Sequence, residues 1–192
     1  METVLGIAVG MGLSAACGFR TFVPLLVMNL ASLSGQLHLS SEFAWIGSYY
    51  STVAFGTATI VEVFGYTIPW LDHVLDIAAT PAAIIAGTIA TASMVTDMSP
   101  SLKWTLALIA GGGIAGLVQG TTVALRAKSS VLTAGIGNPL VSTLELAGSM
   151  IIALLAILVP ILCLALIAFL CIFVIRRAGR LVFGKRSSAS RY

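Results

Sequence analysis

Long apolar runs dominate the chain, and most polar side chains lie in the short stretches between them. A helix that crosses the hydrocarbon layer of a membrane needs about 20 mostly apolar residues. Four runs reach this length, at 3–31, 44–66, 77–96 and 104–125, and the region 129–175 has room for two more. The runs do not alternate polar with apolar side chains, as the strands of a membrane barrel do. The pattern therefore predicts an all-α integral membrane protein with about six transmembrane helices.

The boundary between the last two predicted helices is open. Residues 146–175 carry no charge, and as a single helix they would be about 45 Å long, well beyond the hydrocarbon thickness. In one interpretation Pro160 kinks or splits this run, because proline lacks the amide hydrogen that a helix interior requires. In the other, a helix begins near Ser129, is broken at 137–139 and ends near Gly148.

The composition excludes several classes of protein. Apolar residues make up 58% of the chain and charged residues 9%, with a mean hydropathy of +1.06, whereas about a quarter of the residues in soluble domains are charged. A water-soluble domain, a disordered chain and a disulfide scaffold are therefore excluded. The three cysteines lie in apolar runs without a Cys-x-x-Cys pair, so neither a metal nor another cofactor is expected. The first residues lack the basic segment of a signal peptide, and we expect the first helix to be retained.

The distribution of basic residues predicts the orientation in the membrane. Six of the ten lie near the C-terminus: Arg176, Arg177, Arg180, Lys185, Arg186 and Arg191. Basic segments stay in the cytoplasm, so six helices place both termini there. Arg126 and Lys128 then fall in a cytoplasmic loop, and Lys103 alone lies on the disfavoured side.

The two halves of the chain resemble each other weakly. Residues 12–21 align with 113–122, both rich in small side chains, and 59–65 align with 142–148, which share the pattern Glu-x-x-Gly. Two repeats of three helices in one chain must have opposite orientations, and inverted repeats are typical of transporters with a site at the repeat interface. The predicted division is a first repeat at 1–98, a second repeat at 99–176 and a basic cytoplasmic tail at 177–192.

Three charged residues inside the apolar runs require an explanation. Glu62 and Glu145 would cost on the order of 3 kcal/mol each if ionised and facing lipid, so both are predicted to face the protein interior. They are either a proton- or ion-binding pair, or structural carboxylates. Replacing either one with glutamine is expected to leave folding intact but to abolish pH-dependent flux. Pro24 leaves the carbonyl of Arg20 without its helical donor, so the helix is expected to bend there. Arg20 either holds an anion or forms a structural ion pair. We predict that it faces the protein, with a carboxylate or several backbone carbonyls within hydrogen-bonding distance, and that Arg20→Leu costs on the order of 3 kcal/mol.

A second cluster of candidates is Asp72, His73 and Asp76. The two aspartates lie one helical turn apart on one face, and with the histidine they are candidates for cation binding or proton relay. The alternative is an interfacial turn in which Pro69 ends a helix and Trp70 lies at the lipid headgroups.

Small residues at four-residue spacing, at Gly6 and Gly10 and at Gly112, Gly116 and Gly120, permit close helix crossing within the chain or between copies of a homo-oligomer. Membrane lipid is the expected surrounding, and a larger membrane complex remains open as a partner. No nucleic acid is expected, because the sequence pI of about 9.0 comes from the tail rather than from a basic face. Enzyme motifs such as G-x-S-x-G and H-E-x-x-H are absent, so no enzyme is predicted.

These motifs resemble those of bacterial membrane proteins filed as domain of unknown function 4126. The resemblance is carried by residues 12–24, by Glu62 with Ile68, Pro69, Asp72 and Asp76, and by Asn138, Pro139, Ser142 and Glu145. It extends to about residue 176 and implies the fold and a place in the bacterial inner membrane. The chain departs from the family at Tyr66-Thr67, where Asp-Lys is common, and at Leu146, where an acid often stands, so a site built on those charges would be altered here.

The favoured hypothesis is a small transporter or channel with its site between the repeats, formed by Arg20, Glu62 and Glu145. The rivals are an accessory subunit of a larger membrane complex and, as the weakest, a lipid enzyme using Asp72 and its neighbours. A polar crevice between the halves would favour transport. A solid apolar core with large exposed grooves would favour the subunit, and a cavity open sideways to lipid near Asp72 would favour the enzyme. The sequence does not identify a substrate.

Overall fold

The computed structural model describes the backbone of residues 2–66, 68, 71–133 and 135–183, and the side chains of 3–66, 68, 74–133 and 135–176. Across this part of the chain the structure is helical and has no β-strand, so the all-α class is confirmed. The elements are α1 (Glu2–Phe19), α2 (Phe22–Leu33), a 3-10 helix (Ser41–Gly47), α3 (Tyr49–Gly65), α4 (Leu71–Met94), α5 (Pro100–Leu106), a π-helical segment (Ala107–Gly112), α6 (Gly113–Thr133), α7 (Asn138–Leu158) and α8 (Pro160–Phe183).

Three helical stretches in the described part are long and apolar enough to cross a membrane. They are Val74–Met94, Pro100–Thr133, which joins α5, the π-helical segment and α6, and Asn138–Leu158. Shorter apolar helices occupy Thr3–Phe19, Phe22–Leu33 and Pro160–Arg176. These helices are compatible with a membrane protein.

Helix α7 buries a mostly polar face and exposes its large apolar side chains. On α7 the buried positions include Asn138, Ser142, Glu145 and Ser149, spaced four, three and four residues apart on one face. The large apolar side chains of the same helix, such as Leu144, point away from the protein. A helix in water shows the opposite distribution, so this arrangement fits a hydrocarbon surrounding.

Helix α1 lies at the centre and packs against α4, α6, α7 and α8. Its contact with α4 is close because Gly10 faces Thr91, and a Cβ atom at Gly10 would come within 2.8 Å of the Thr91 Cα. The buried hydroxyl of Ser14 lies 2.6 Å from the carbonyl oxygen of Gly87 and 2.8 Å from the Thr91 hydroxyl. Small side chains therefore let two backbones approach and share polar contacts.

The glycine motifs pack mainly within the chain. Gly6 and Gly10 face α4, Gly112 faces the Thr88 hydroxyl on α4, and Gly116 faces Ile84. Gly120 has open space where its side chain would be. The structure thus accounts for most of both motifs by internal packing, and the homo-oligomer stays a prediction.

Two predicted boundaries are resolved by the helices around them. α7 ends at Leu158 and α8 begins at Pro160, as in the first interpretation, because proline needs no amide partner at a helix start. The segment 137–139 forms the start of α7 rather than a break within a helix. Arg126 and Lys128 were predicted to lie in a cytoplasmic loop. The loop is wrong, because α6 continues to Thr133, and the side of the membrane stays a prediction.

Lys103, the lysine on the disfavoured side, is buried and ion-paired. Its ammonium group donates to the Glu42 carboxylate at 2.9 Å and to the Ser40 hydroxyl at 3.2 Å. This contact fastens the 3-10 helix to α5. A paired lysine is weak evidence for the orientation of the chain in the membrane, because its charge is already compensated within the protein.

Candidate functional site

The site begins at a break between α1 and α2. α1 ends at Phe19 and α2 begins at Phe22. The carboxylate of Glu62, from α3, accepts hydrogen bonds from the amides of Thr21 at 2.8 Å and Phe22 at 3.2 Å. Those amides have no partner within α2, and a negative charge at a helix N-terminus is stabilised by the helix dipole. The predicted disruption of the helix at Arg20 is confirmed, and Glu62 faces the interior.

Arg20 is the most enclosed charged side chain of the site, with an exposed fraction of 2%. Its Nη2 donates to the Ser142 carbonyl at 3.0 Å and to the Ser142 hydroxyl, and it lies 3.8 Å from a carboxylate oxygen of Glu145. Among the described residues, its Nε and Nη1 have no hydrogen-bond partner. The predicted position inside the protein is confirmed, but of the predicted hydrogen-bonding partners the structure gives one backbone carbonyl, that of Ser142, and the Glu145 carboxylate lies beyond hydrogen-bonding distance.

Arg126, on α6, uses its whole guanidinium group. Nε donates to Glu145 Oε1 at 3.2 Å, Nη2 donates to Glu145 Oε2, and Nη1 donates to Asp76 Oδ1 at 2.6 Å. A bidentate guanidinium–carboxylate pair is among the strongest side-chain interactions. Arg126 therefore ties α4, α6 and α7 together at the centre of the site.

Tyr66 lies against both arginines. It follows the last residue of α3 and is buried, and its ring centroid lies 4.1 Å from the Arg20 Cζ and 3.9 Å from the Arg126 Cζ. Guanidinium groups at such distances are attracted to the electron-rich ring face. The position at which the chain departs from the family resemblance is thus at the centre of the site.

The structure brings together most of the predicted site residues. Arg20, Glu62, Glu145 and Asp76 all lie in or next to this cluster. The backbone of Asp72 and His73 is in the first turns of α4, but their side chains lie outside the described residues. Among the described residues, no group of histidine, cysteine and acidic side chains could hold a metal ion.

Sequence reasoning missed Arg126, Tyr66 and Ser142. A signal for Arg126 existed, because Gln119, Thr122 and Arg126 are spaced three and four residues apart and share one face of α6. All three are buried in the structure. Tyr66 and Ser142 were noted only through the family resemblance, and their contacts with the arginines depend on which helices pack together.

An open groove of about 780 Å³ lies between α3 and α4 and ends at the site. Its polar end is formed by Thr21, Glu62 and Tyr66. The remaining walls are largely apolar and include Val53, Ala54, Val61, Leu75, Ala78, Ala79 and Ala82. The groove therefore joins an apolar surface of the protein to the Tyr66 ring. It is not the polar crevice that was expected to favour transport, so transport has to be inferred from the ion cluster.

Long apolar helices with inward polar faces and a central ion cluster are features of the helical membrane class. The chain belongs to the family described as Domain of unknown function (DUF4126), whose family model matches residues 7–180. No curated protein matches the chain, and neither does any solved structure. The resemblance seen in the sequence is confirmed, and it assigns no activity.

Proposed function

We propose that the protein is a small multi-pass membrane transporter or channel, and that its ion or solute site is the cluster of Arg20, Glu62, Arg126 and Glu145. The observation that carries this proposal is Arg20. It is buried, yet two of its donors lack partners among the described residues. Unsatisfied buried donors cost about 1–3 kcal/mol each, so an arginine with a purely structural role would be expected to have its donors paired.

The charge cluster also fits transport for energetic reasons. Burying ions costs several kcal/mol per ion, and their mutual attraction often only offsets that cost. Ionisable residues within membrane-spanning segments usually mark a pathway for ions, protons or substrates. The broken helix α1–α2 is a second feature typical of transporters, and here Glu62 binds the amides at the start of α2.

The position of Glu145 suggests how two states of the site would interconvert. One carboxylate oxygen pairs with Arg126, and the same oxygen lies 3.8 Å from the Arg20 Nη2. A small shift of the carboxylate would exchange Arg126 for Arg20 as its partner. Arg20 then acts as a gate when it pairs with Glu145 and as an anion-binding group when it does not.

The proposed topology has six crossings and two inverted repeats. Glu62 lies on α3 and Glu145 on α7, and both are buried; in the proposed topology these two helices are the corresponding ones of the two repeats. Since Arg126 and Lys103 are paired inside the protein, the orientation now rests on the basic tail. The tail places the C-terminus in the cytoplasm, and six crossings place the N-terminus there as well. The membrane in this proposal is the bacterial inner membrane.

The topology can be tested by cysteine labelling of intact cells. We expect Ser41→Cys to react with a membrane-impermeant maleimide from outside and Ser188→Cys to react only after lysis. Ser41 is exposed, whereas its neighbour Ser40 is buried against Lys103. The native cysteines Cys17, Cys163 and Cys171 would first be replaced by alanine. Outside labelling of Ser188→Cys would overturn the proposed orientation.

The transport proposal predicts that Glu62→Gln abolishes pH-dependent flux in proteoliposomes. Glutamine keeps an oxygen for the amides of α2 but cannot titrate, so the fold is expected to survive. The internal pH would be recorded with a trapped dye across a panel of inorganic ions and carboxylates. Glu145→Gln is a less clean test than the sequence suggested, because it also removes the ionic partner of Arg126.

The matched control is Asp97→Asn, an exposed acid outside the cluster whose carboxylate accepts a hydrogen bond from its neighbour Thr96. It should transport like the native protein. Native vesicles without flux across the whole panel would contradict the transport proposal. The accessory-subunit alternative would then lead, and co-purification with a larger membrane complex would be its test.

A further inference from the structure

We propose that the ligand of this site is an amphiphile with an apolar tail and one negatively charged headgroup, and that Tyr66 is the gate between the groove that holds the tail and the arginines. The tail would lie in the groove between α3 and α4, and the headgroup would bind Arg20. This inference rests on the proposed function for the location of the site, and it adds the chemical class of the ligand and a residue that controls access.

The groove has the size and walls that an apolar tail requires. Its volume of about 780 Å³ lies within the range of roughly 300–1,000 Å³ found for small-molecule sites. It is open on one side, where Val53 and Val61 are 70% and 61% exposed. A molecule dissolved in the membrane could therefore enter sideways without crossing a polar layer.

The end of the groove has the chemistry for an anion. Tyr66 lines the groove, and the Arg20 guanidinium lies directly over the Tyr66 ring. The unpaired Nε and Nη1 of Arg20 are donors and cannot accept. They can bind a carboxylate or a phosphate oxygen, and a neutral headgroup would form weaker bonds with them. Glu62 lies at the same end, which favours a single negative charge over two.

Tyr66 is suited to be the gate because it contacts both the groove and the two arginines. Its ring forms part of the groove wall and at the same time covers the guanidinium groups of Arg20 and Arg126. Rotation of the ring would open Arg20 to the groove. The headgroup would then replace the ring as the partner of the arginine, exchanging a cation–π contact for a charged hydrogen bond.

Binding of spin-labelled palmitate tests the ligand class. The full-length protein in nanodiscs of phosphatidylcholine would be titrated with the labelled acid and with its methyl ester, and immobilised label would be measured by electron paramagnetic resonance. The acid should bind about tenfold more tightly than the ester, because hydrogen bonds between charged groups are the stronger ones. Arg20→Gln should remove this preference while leaving the ester unchanged.

Three further variants separate the gate from the groove. Tyr66→Ala should expose Arg20 to phenylglyoxal, detected by mass spectrometry, whereas Tyr66→Phe keeps the ring and should protect Arg20 as in the native protein. Ala79→Phe fills the groove without touching the ion cluster and should weaken both the acid and the ester. Thermal unfolding of each variant would show whether it is folded. If Tyr66→Ala does not fold, Ala79→Phe and Tyr66→Phe still test the inference.

Three results would overturn the inference. Equal affinity for the acid and the ester would make the groove a non-specific lipid-facing surface. Competition by butyrate at the concentrations at which palmitate competes would identify a free small anion instead of an amphiphile. Equal phenylglyoxal labelling in Tyr66→Ala and the native protein would remove Tyr66 as the gate. If the protein binds the acid selectively but vesicles show no flux, the transport proposal is contradicted and the inference about the ligand class is not.

Discussion

Arg126→Leu is expected to lower the free energy of unfolding by about 3–5 kcal/mol, because it removes one partner of a buried ion pair. The change leaves the carboxylates of Glu145 and Asp76 without the donors that now bind them. It also removes the cation from the ring of Tyr66. Unfolding in mixed micelles, followed by circular dichroism as the denaturing detergent is increased, would measure the loss.

The matched control for Arg126→Leu is Lys128→Leu. Lys128 is on the same helix, two residues further on, and is exposed. Removing its charge should change the unfolding free energy by less than about 0.5 kcal/mol. Similar losses in the two variants would show that Arg126 does not hold the bundle together, and the ion cluster described here would lose its structural role.

Arg20→Leu is expected to affect flux more than stability. It should abolish flux and lower the free energy of unfolding by only about 1 kcal/mol. From the sequence alone we expected a stability loss on the order of 3 kcal/mol, on the argument that a buried partner would be left unpaired. The structure changes that expectation, since Glu145 keeps its bidentate contact with Arg126 when Arg20 is removed. Proteoliposome flux and micelle unfolding would be measured on the same preparation.

Arg20→Lys completes the comparison, because it keeps the positive charge but loses the planar group that can bind an anion through two donors. We expect it to fold like the native protein and to retain only part of the flux. A loss of stability for Arg20→Leu as large as that for Arg126→Leu would make both arginines structural. The unpaired donors of Arg20 would then no longer argue for a ligand.

Several features could be predicted from the sequence because they depend on local properties of the chain. The apolar runs predicted a helical protein, since length and hydropathy are read directly along the chain. Pro160 marked one of two possible boundaries between the last helices because proline cannot supply an amide hydrogen, and the structure selects it. Arg20 and Glu62 were recognised because a charge within an apolar run requires a compensating partner.

The pairing within the site could not be predicted, because it joins residues that are far apart in sequence. Arg126 lies 50 residues from Asp76 and 19 from Glu145, and sequence distance alone does not show which side chains meet. The loop expected around Arg126 illustrates the difficulty, since a basic residue at the end of an apolar run is equally compatible with a loop and with a buried ion pair. Packing of α4, α6 and α7 around α1 selects the ion pair. Helix formation follows from the local sequence, whereas the choice of partner, the groove and the position of Tyr66 follow from how the helices pack.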